Sequence, residues 1–420
     1  MSDAARQRVT FSQVFADREF RAVWLADAQS ALGDQLSRVA LSVLVYDRSG
    51  SALLTALVYA VTFLPALFGG LLLGGVADRF PHRTTLVACN LLRAGLVGTM
   101  AVSGMPIAVL VVLVFASTAA AAPFDSANSA MLADILEGER YEVASSARTI
   151  THQLAQVGGF AAGGIVLTSL TPRIGLLADA GTFLIAAALV RLVVRLRPAP
   201  REGHDDEAYL RSIIEGIAVV RQTPKLRVLL GLAWLMGLLV VPEGLAVPYA
   251  AAIHASTAGV GLLLAAGPAG TAVGSALFMK LLTDERRTRV IGVLAALGGL
   301  PLAACGWHPA LAVSAVLWAL SGACGAYLTQ VMPQYVRAAP TARRGQAIGI
   351  AASGLMAVQG LGILLGGVVA AEANPALAVA LAGTLVTVLA GTAALRWQRL
   401  LAGDHTLPTA VPVDPATVVV

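Results

Sequence analysis

Residues Gly74 to Arg83, G-G-V-A-D-R-F-P-H-R, form a short polar stretch between two long apolar runs, and the fold turns on how they are read. A connection this short between two membrane-spanning helices makes those helices antiparallel neighbours. Arg79, His82 and Arg83 mark the side it faces as the cytoplasm, where basic loops are retained. Gly74 and Gly75 permit close backbone approach, Asp78 can accept N–H groups at a helix start, and Pro81 is tolerated where a helix begins. The stretch predicts a tight, charged hinge between two helices. Any polytopic protein can carry arginines in a cytoplasmic loop, so the remainder of the chain has to decide.

With 57% hydrophobic and 13% charged residues and a mean hydropathy of +0.78, the 420 residues carry too little charge to cover a water-facing surface. An integral membrane protein is expected. Cys89, Cys305 and Cys324 sit inside apolar runs without metal-ligand spacing and read as small core residues. No metal or cofactor is expected. No short apolar region with a cleavage site precedes the first span, which is expected to act as the insertion signal itself. The net charge of +5 is spread over many short loops without interleaved aromatics, so nucleic acid is not an expected partner. No phosphate-cradling Walker loop is present, which argues against ATP hydrolysis and, with the rest, against an enzyme.

A hydrocarbon core of about 30 Å takes about 20 residues of helix to cross, and twelve apolar runs qualify. The first six are 21–46, 53–76, 84–104, 106–130, 147–170 and 174–195. The second six are 226–250, 256–280, 289–305, 309–333, 345–371 and 376–396. Of the 29 Lys and Arg residues, 25 fall on one side, only Arg48 and Arg173 on the other, and Arg38 and Arg93 within spans. That partition predicts both termini in the cytoplasm and a multi-pass protein of the cell membrane. The expected organisation is an N-terminal arm (1–20), a six-helix bundle (21–195), a linker (196–225), a second bundle (226–397) and a disordered tail (398–420). In the linker, Leu210, Ile213, Ile214 and Ile217 share one helical face, as in a surface-lying helix. A weak repeat is visible too: Trp24 precedes Asp34 in span 1 much as Trp234 precedes Glu243 in span 7.

Ionised groups at bilayer depth are costly, so each needs a counter-charge, water or a proton. Asp27, Asp34 and Arg38 line one face of span 1 with Ser30 and Ser37. Asp34 and Arg38 can pair at i,i+4, either as a structural ion pair or as a functional one. Glu243 is deep, with no basic neighbour in its own span, and is a candidate proton carrier beside Asp34, Asp27 and Arg38. Asp125 is expected to pair with Arg79 or Arg83, Arg93 to reach toward the interface, and Asp179 to lie near the outer surface. Tyr59, Phe63, Trp234, Tyr327, Gln330 and Tyr335 are candidates for a substrate cavity. Gly159, Gly163 and Gly164, after Gly158 in span 5, permit close helix packing.

Several segments agree with one another. These are F-R-A-V-W-L near Phe20, L-G-D at Leu32, L-V-Y-D-R-S-G from Leu44, the Gly74 loop, N-L-L-R-A from Asn90 and P-F-D-S-A-N-S-A-M-L from Pro123. The chain resembles the major facilitator superfamily, in the branch of macrolide-efflux and siderophore exporters that act as drug:proton antiporters. Gly74, Asp78, Arg79 and Arg83 stand in register with that family's loop G-x-x-x-D-R-x-G-R-R, while Pro81 and His82 depart from it. The span 5 glycines resemble the family's antiporter motif G-P-x-x-G-G, with Phe160 at the proline position. The resemblance implies an all-α membrane protein of twelve transmembrane helices in two pseudo-symmetric six-helix bundles, acting as a monomer. It implies proton-driven export of a small amphipathic compound by alternating access, with Asp78 latched against the start of span 11. A nutrient uptake symporter or facilitator on the same fold is the alternative, and a non-transporting receptor or scaffold the second.

Overall fold

The computed structural model describes residues 9–65, 79–198 and 217–404, and within these only helices and their connections occur. Gly74, Asp78 and most of the linker helix therefore lie outside the described residues, as does the chain after 404. The first half contains α1 (Arg18–Ser49), α2 (Ala52–Val61), α3 (His82–Met100), α4 (Ile107–Ile135), α5 (Glu139–Ser169) and α6 (Pro172–Val193). The second contains α7 (Pro224–Leu238, continued by Val241–Gly244 and Ala246–Ala252), α8 (Thr257–Leu281) and α9 (Asp284–Ala304). It is completed by α10 (Leu311–Cys324, continued by Leu328–Ala338), α11 (Arg344–Glu372) and α12 (Pro375–Asp404).

Local sequence explains the ends. Asp17 caps α1 by accepting from the Phe20 N–H at 2.9 Å, and Ser51 caps α2 by accepting from Leu54 at 3.2 Å. Between them Gly50 adopts φ 60° with open space around it, a left-handed stop that favours glycine. Phe11–Phe15 forms a short helix whose Phe15 ring packs edge-on to Trp24 at 4.9 Å. The predicted arm is thus partly folded onto the bundle. At the other end α12 runs to Asp404, past the predicted boundary at 397, because Trp397 is fully buried and donates to the Thr288 carbonyl at 2.9 Å.

Eight described helices are apolar and long enough to cross a membrane. Three others, α1, α3 and α5, are 32, 19 and 31 residues long but too polar to meet the same measure. The described part of α2 is short. The polar three carry most of the ionisable cluster described below, with Asp125 on α4 and Asp179 on α6.

Alternation of direction places the start of α1 and the end of α12 on one face, here the termini face. In the first half α1 packs against α5 and α6, and α3 against α6 and α4; in the second, α9 packs on α12, α8 on α10, and α7 on α11. The halves meet along α5 with α8 and α2 with α11. Gly164 and Gly261 touch there, each so close that a Cβ would meet the other's backbone, and Gly367 packs on Ala56. These contacts lie near the end of α5, the starts of α8 and α2, and the end of α11, so they seal the face opposite the termini. The repeat has a structural counterpart. Trp24 donates to Thr151 of α5 at 2.9 Å and Trp234 to the Ala351 carbonyl of α11 at 3.2 Å, tying the first helix of each half to its fifth.

Candidate functional site

Two layers of charge occupy the first half. In the deeper layer Arg93 Nη2 donates to Asp34 Oδ1 at 2.7 Å. The Arg93 side chain is 9% exposed and that of Asp34 is 32%, so the carboxylate faces the cavity and the guanidinium is held behind it. Its Cζ stands 4.1 Å from the centre of the Phe183 ring, a cation over an aromatic face. Asp179 completes the layer, accepting from Ser37 Oγ at 2.5 Å and from Thr182 Oγ1 at 3.3 Å. It reaches this position because Gly33 leaves no side chain between α1 and α6; a Cβ there would collide with its carboxylate.

This arrangement corrects three expectations. Asp34 pairs with Arg93 rather than with Arg38, whose guanidinium turns toward the Phe63 ring just past α2 instead. Arg38 Cζ lies 6.0 Å from the Phe63 ring centre. Arg93 does not reach for the interface, because a counter-charge is available at its own depth. Asp179 is 1% exposed and lines the cavity rather than the outer surface, seven residues and roughly 10 Å into α6.

The second layer lies nearer the termini face. Asp27 receives Arg148 Nε at 3.0 Å, Asn128 Nδ2 at 3.3 Å and lies 2.8 Å from His152 Nε2. Arg148 Nη2 also donates to Asp125 at 3.0 Å. Among the described residues Asp125 therefore pairs with neither Arg79 nor Arg83: it sits ten residues, roughly 15 Å, from the end of α4. Arg83 donates instead to the Arg191 carbonyl. Arg148 was the residue that sequence reasoning missed, counted among loop arginines although it lies nine residues inside α5. The signal was there: Ser145, Arg148, Thr149, His152 and Gln156 recur at three- and four-residue spacing on one helical face.

Between the halves, Tyr59 Oη donates to Glu243 Oε2 at 2.8 Å, joining α2 to the Pro242 break in α7. Glu243 is thus engaged across the seam rather than isolated. A buried hydrogen bond of this kind contributes about 0.5–1.5 kcal/mol net. Tyr59→Phe should accordingly raise the fraction of molecules open at the opposite face about two- to tenfold. Distances between spin labels at 47 and 372 would read this, and an unchanged distribution would leave the contact without a closing role.

Tyr59 and Phe63 border this seam, whereas Trp234, Tyr327 and Gln330 are engaged in bonds within the second half. The Trp234 bond to Ala351, Tyr327 donating to Leu232 at 2.8 Å, and Gln330 donating to Asp284 at 2.9 Å all hold the second half together. Gly159 packs on Gln35, Gly163 on Val39, and α5 runs unbroken through Phe160, as expected where the motif's proline is absent.

A cavity of ≈ 450 Å³ spans both charge layers and is lined by Asp27, Asp34, Arg38, Arg93, Asp125 and Asp179. Through Gln35, Asp125 and His152 it adjoins a polar vestibule of ≈ 580 Å³ along α5. Gln153 and Gln156 connect that in turn to a space of ≈ 250 Å³ beside Glu243 in the second half. Gln153 and Gln156 precede Gly164 in α5, so the vestibule and the space beside Glu243 lie on the termini side of the sealed contacts.

Comparison with known proteins agrees with this architecture. The multidrug efflux pump Tap of Mycobacterium tuberculosis is 28% identical over 391 residues, covering 90% of this chain and 93% of Tap. The uncharacterized MFS-type transporter YkuC of Bacillus subtilis is 25% identical over 183 residues, 42% of either chain. The solved structure of the nucleoside transporter NupG shares the fold with a TM-score of 0.71 at 13% identity, covering 91% of this chain and 100% of that one. A bacterial homolog of the human lysosomal transporter Spinster, inward-facing and occupied, gives 0.69 at 14% identity over 92% of this chain and 96% of that one. The family model of the Major Facilitator Superfamily matches residues 23–243, more than half of the chain, and this multi-pass membrane protein belongs to that superfamily of transporters.

Proposed function

We propose that this transporter exports a small amphipathic compound from the cytoplasm by alternating access, driven by proton exchange. The observation that carries the reading is the Asp34–Arg93 pair facing a polar cavity whose opposite end is closed. The kinship to Tap, an efflux pump by name over nearly its whole length, supports the direction. The basic residues assign the termini face to the cytoplasm of a cell-membrane protein. A proton on Asp34 removes the charge that holds Arg93, which then serves Asp179 alone. Loss of the Tyr59–Glu243 contact parts the halves at the outer face and completes the switch.

The test is flux of ethidium in proteoliposomes oriented with the termini face outward. Accumulation with an acidic lumen is expected. Accumulation only with an acidic exterior would establish uptake symport in its place, and no flux under either gradient would establish a receptor or scaffold.

A further inference from the structure

Away from the central cavity, α7 and α12 part at the termini face and leave a groove of ≈ 740 Å³ between them. Arg227, Arg396 and Arg399 surround its mouth. All three are exposed, and among the described residues none of them forms an ion pair or a side-chain hydrogen bond. Three like charges around one opening repel, and an anion between them converts that repulsion into attraction. Guanidinium groups suit a phosphate in particular, because their forked donors match its oxygens.

The depth of the groove narrows the choice of anion. α7 runs away from the termini face, so Val228 and Leu235 on its wall lie one to eight residues beyond Arg227, up to roughly 12 Å deeper. α12 runs toward that face, which puts Leu389 roughly 15 Å below Arg399. Charge is therefore confined to the headgroup end, and an apolar channel continues into the hydrocarbon. Gly231 faces this channel, and a Cβ built on it meets nothing within 4 Å. No described residue fills this space.

We propose that this groove binds one anionic phospholipid, its phosphate among Arg227, Arg396 and Arg399 and one acyl chain between α7 and α12. Basic pockets between transmembrane helices on the cytoplasmic side hold acidic headgroups by this chemistry. Interfacial arginines that merely reach into the headgroup region would provide the charge without the chain channel, and the experiment separates the two.

The full-length protein, purified and incubated with equal amounts of phosphatidylglycerol and phosphatidylcholine of matched chains, is examined by native mass spectrometry for retained lipid. A preference for phosphatidylglycerol is expected, falling about five-fold for each of Arg227→Gln, Arg396→Gln and Arg399→Gln. Gly231→Leu should lower retention while keeping every charge. Leucine is a better helix former than glycine and has open space here, so folding is not at risk. Arg227→Gln, Arg396→Gln and Arg399→Gln together should abolish the preference, while a control with Arg140→Gln, Arg191→Gln and Arg337→Gln loses the same charge and should keep it. The proposal is overturned if the control loses as much as the groove variants, or if Gly231→Leu binds as wild type does. Displacement of the lipid by excess inorganic phosphate would also overturn it, leaving a site for a free anion alone.

Discussion

Asp34→Asn protein in proteoliposomes is expected to lose accumulation of substrate against a gradient while downhill flux persists. Each proton exchanged across one pH unit supports about a tenfold concentration ratio, so the ratio should collapse from that order to unity. The argument rests on where Asp34 sits. Of the deeper charge layer it is the carboxylate with the most open side chain, and its charge holds Arg93 at 2.7 Å. An asparagine can still accept a hydrogen bond from Arg93 but cannot exchange a proton, so the fold stays and the coupling goes. Glu243→Gln is the companion experiment, because its amide oxygen can still accept from Tyr59. If both neutral variants pump uphill, the proton route lies elsewhere, with Asp27 and His152 next to be tested.

The second large effect concerns stability. Arg93 is buried and serves two carboxylates, the partly exposed Asp34 by direct contact and the buried Asp179 by proximity in the same cavity wall. Removing one partner of a buried pair leaves an uncompensated charge and costs about 3–5 kcal/mol. Arg93→Met should therefore lower the melting temperature in detergent markedly. The double variant Asp34→Asn with Arg93→Met should recover the part of the loss that comes from the stranded Asp34 charge, while Asp179 still lacks its counter-charge. Equal melting of the single and double variants would mean that Asp34 and Arg93 do not act as a pair, and the coupling scheme built on them would fall.

Architecture was readable because bilayer crossing leaves a strong one-dimensional imprint. Span length, the concentration of basic residues on one side and the short polar connections depend on local composition alone. Most charged residues of the site were readable as well, since an intramembrane charge is conspicuous, with Arg148 the exception. Asp27, Asp34, Arg38, Arg93, Asp125, Asp179 and Glu243 could all be singled out before any contact was known.

Which of them touch could not be read. Asp34 has Arg38 four residues away in sequence, yet Arg93 takes the bond, because helix packing brings α3 to the side that Asp34 faces. Asp125 is expected to pair with Arg79 or Arg83 between spans 2 and 3, yet Arg148 is its partner, because the two meet at a common depth along antiparallel helices. Trp234, Tyr327 and Gln330 have the chemistry of a ligand pocket but hold one half together. A sequence states how deep a side chain lies and which way it leaves its own helix. Only the packing of twelve helices decides what stands opposite, and electrostatic pairing falls off within a few ångströms, so that choice is made by the tertiary structure.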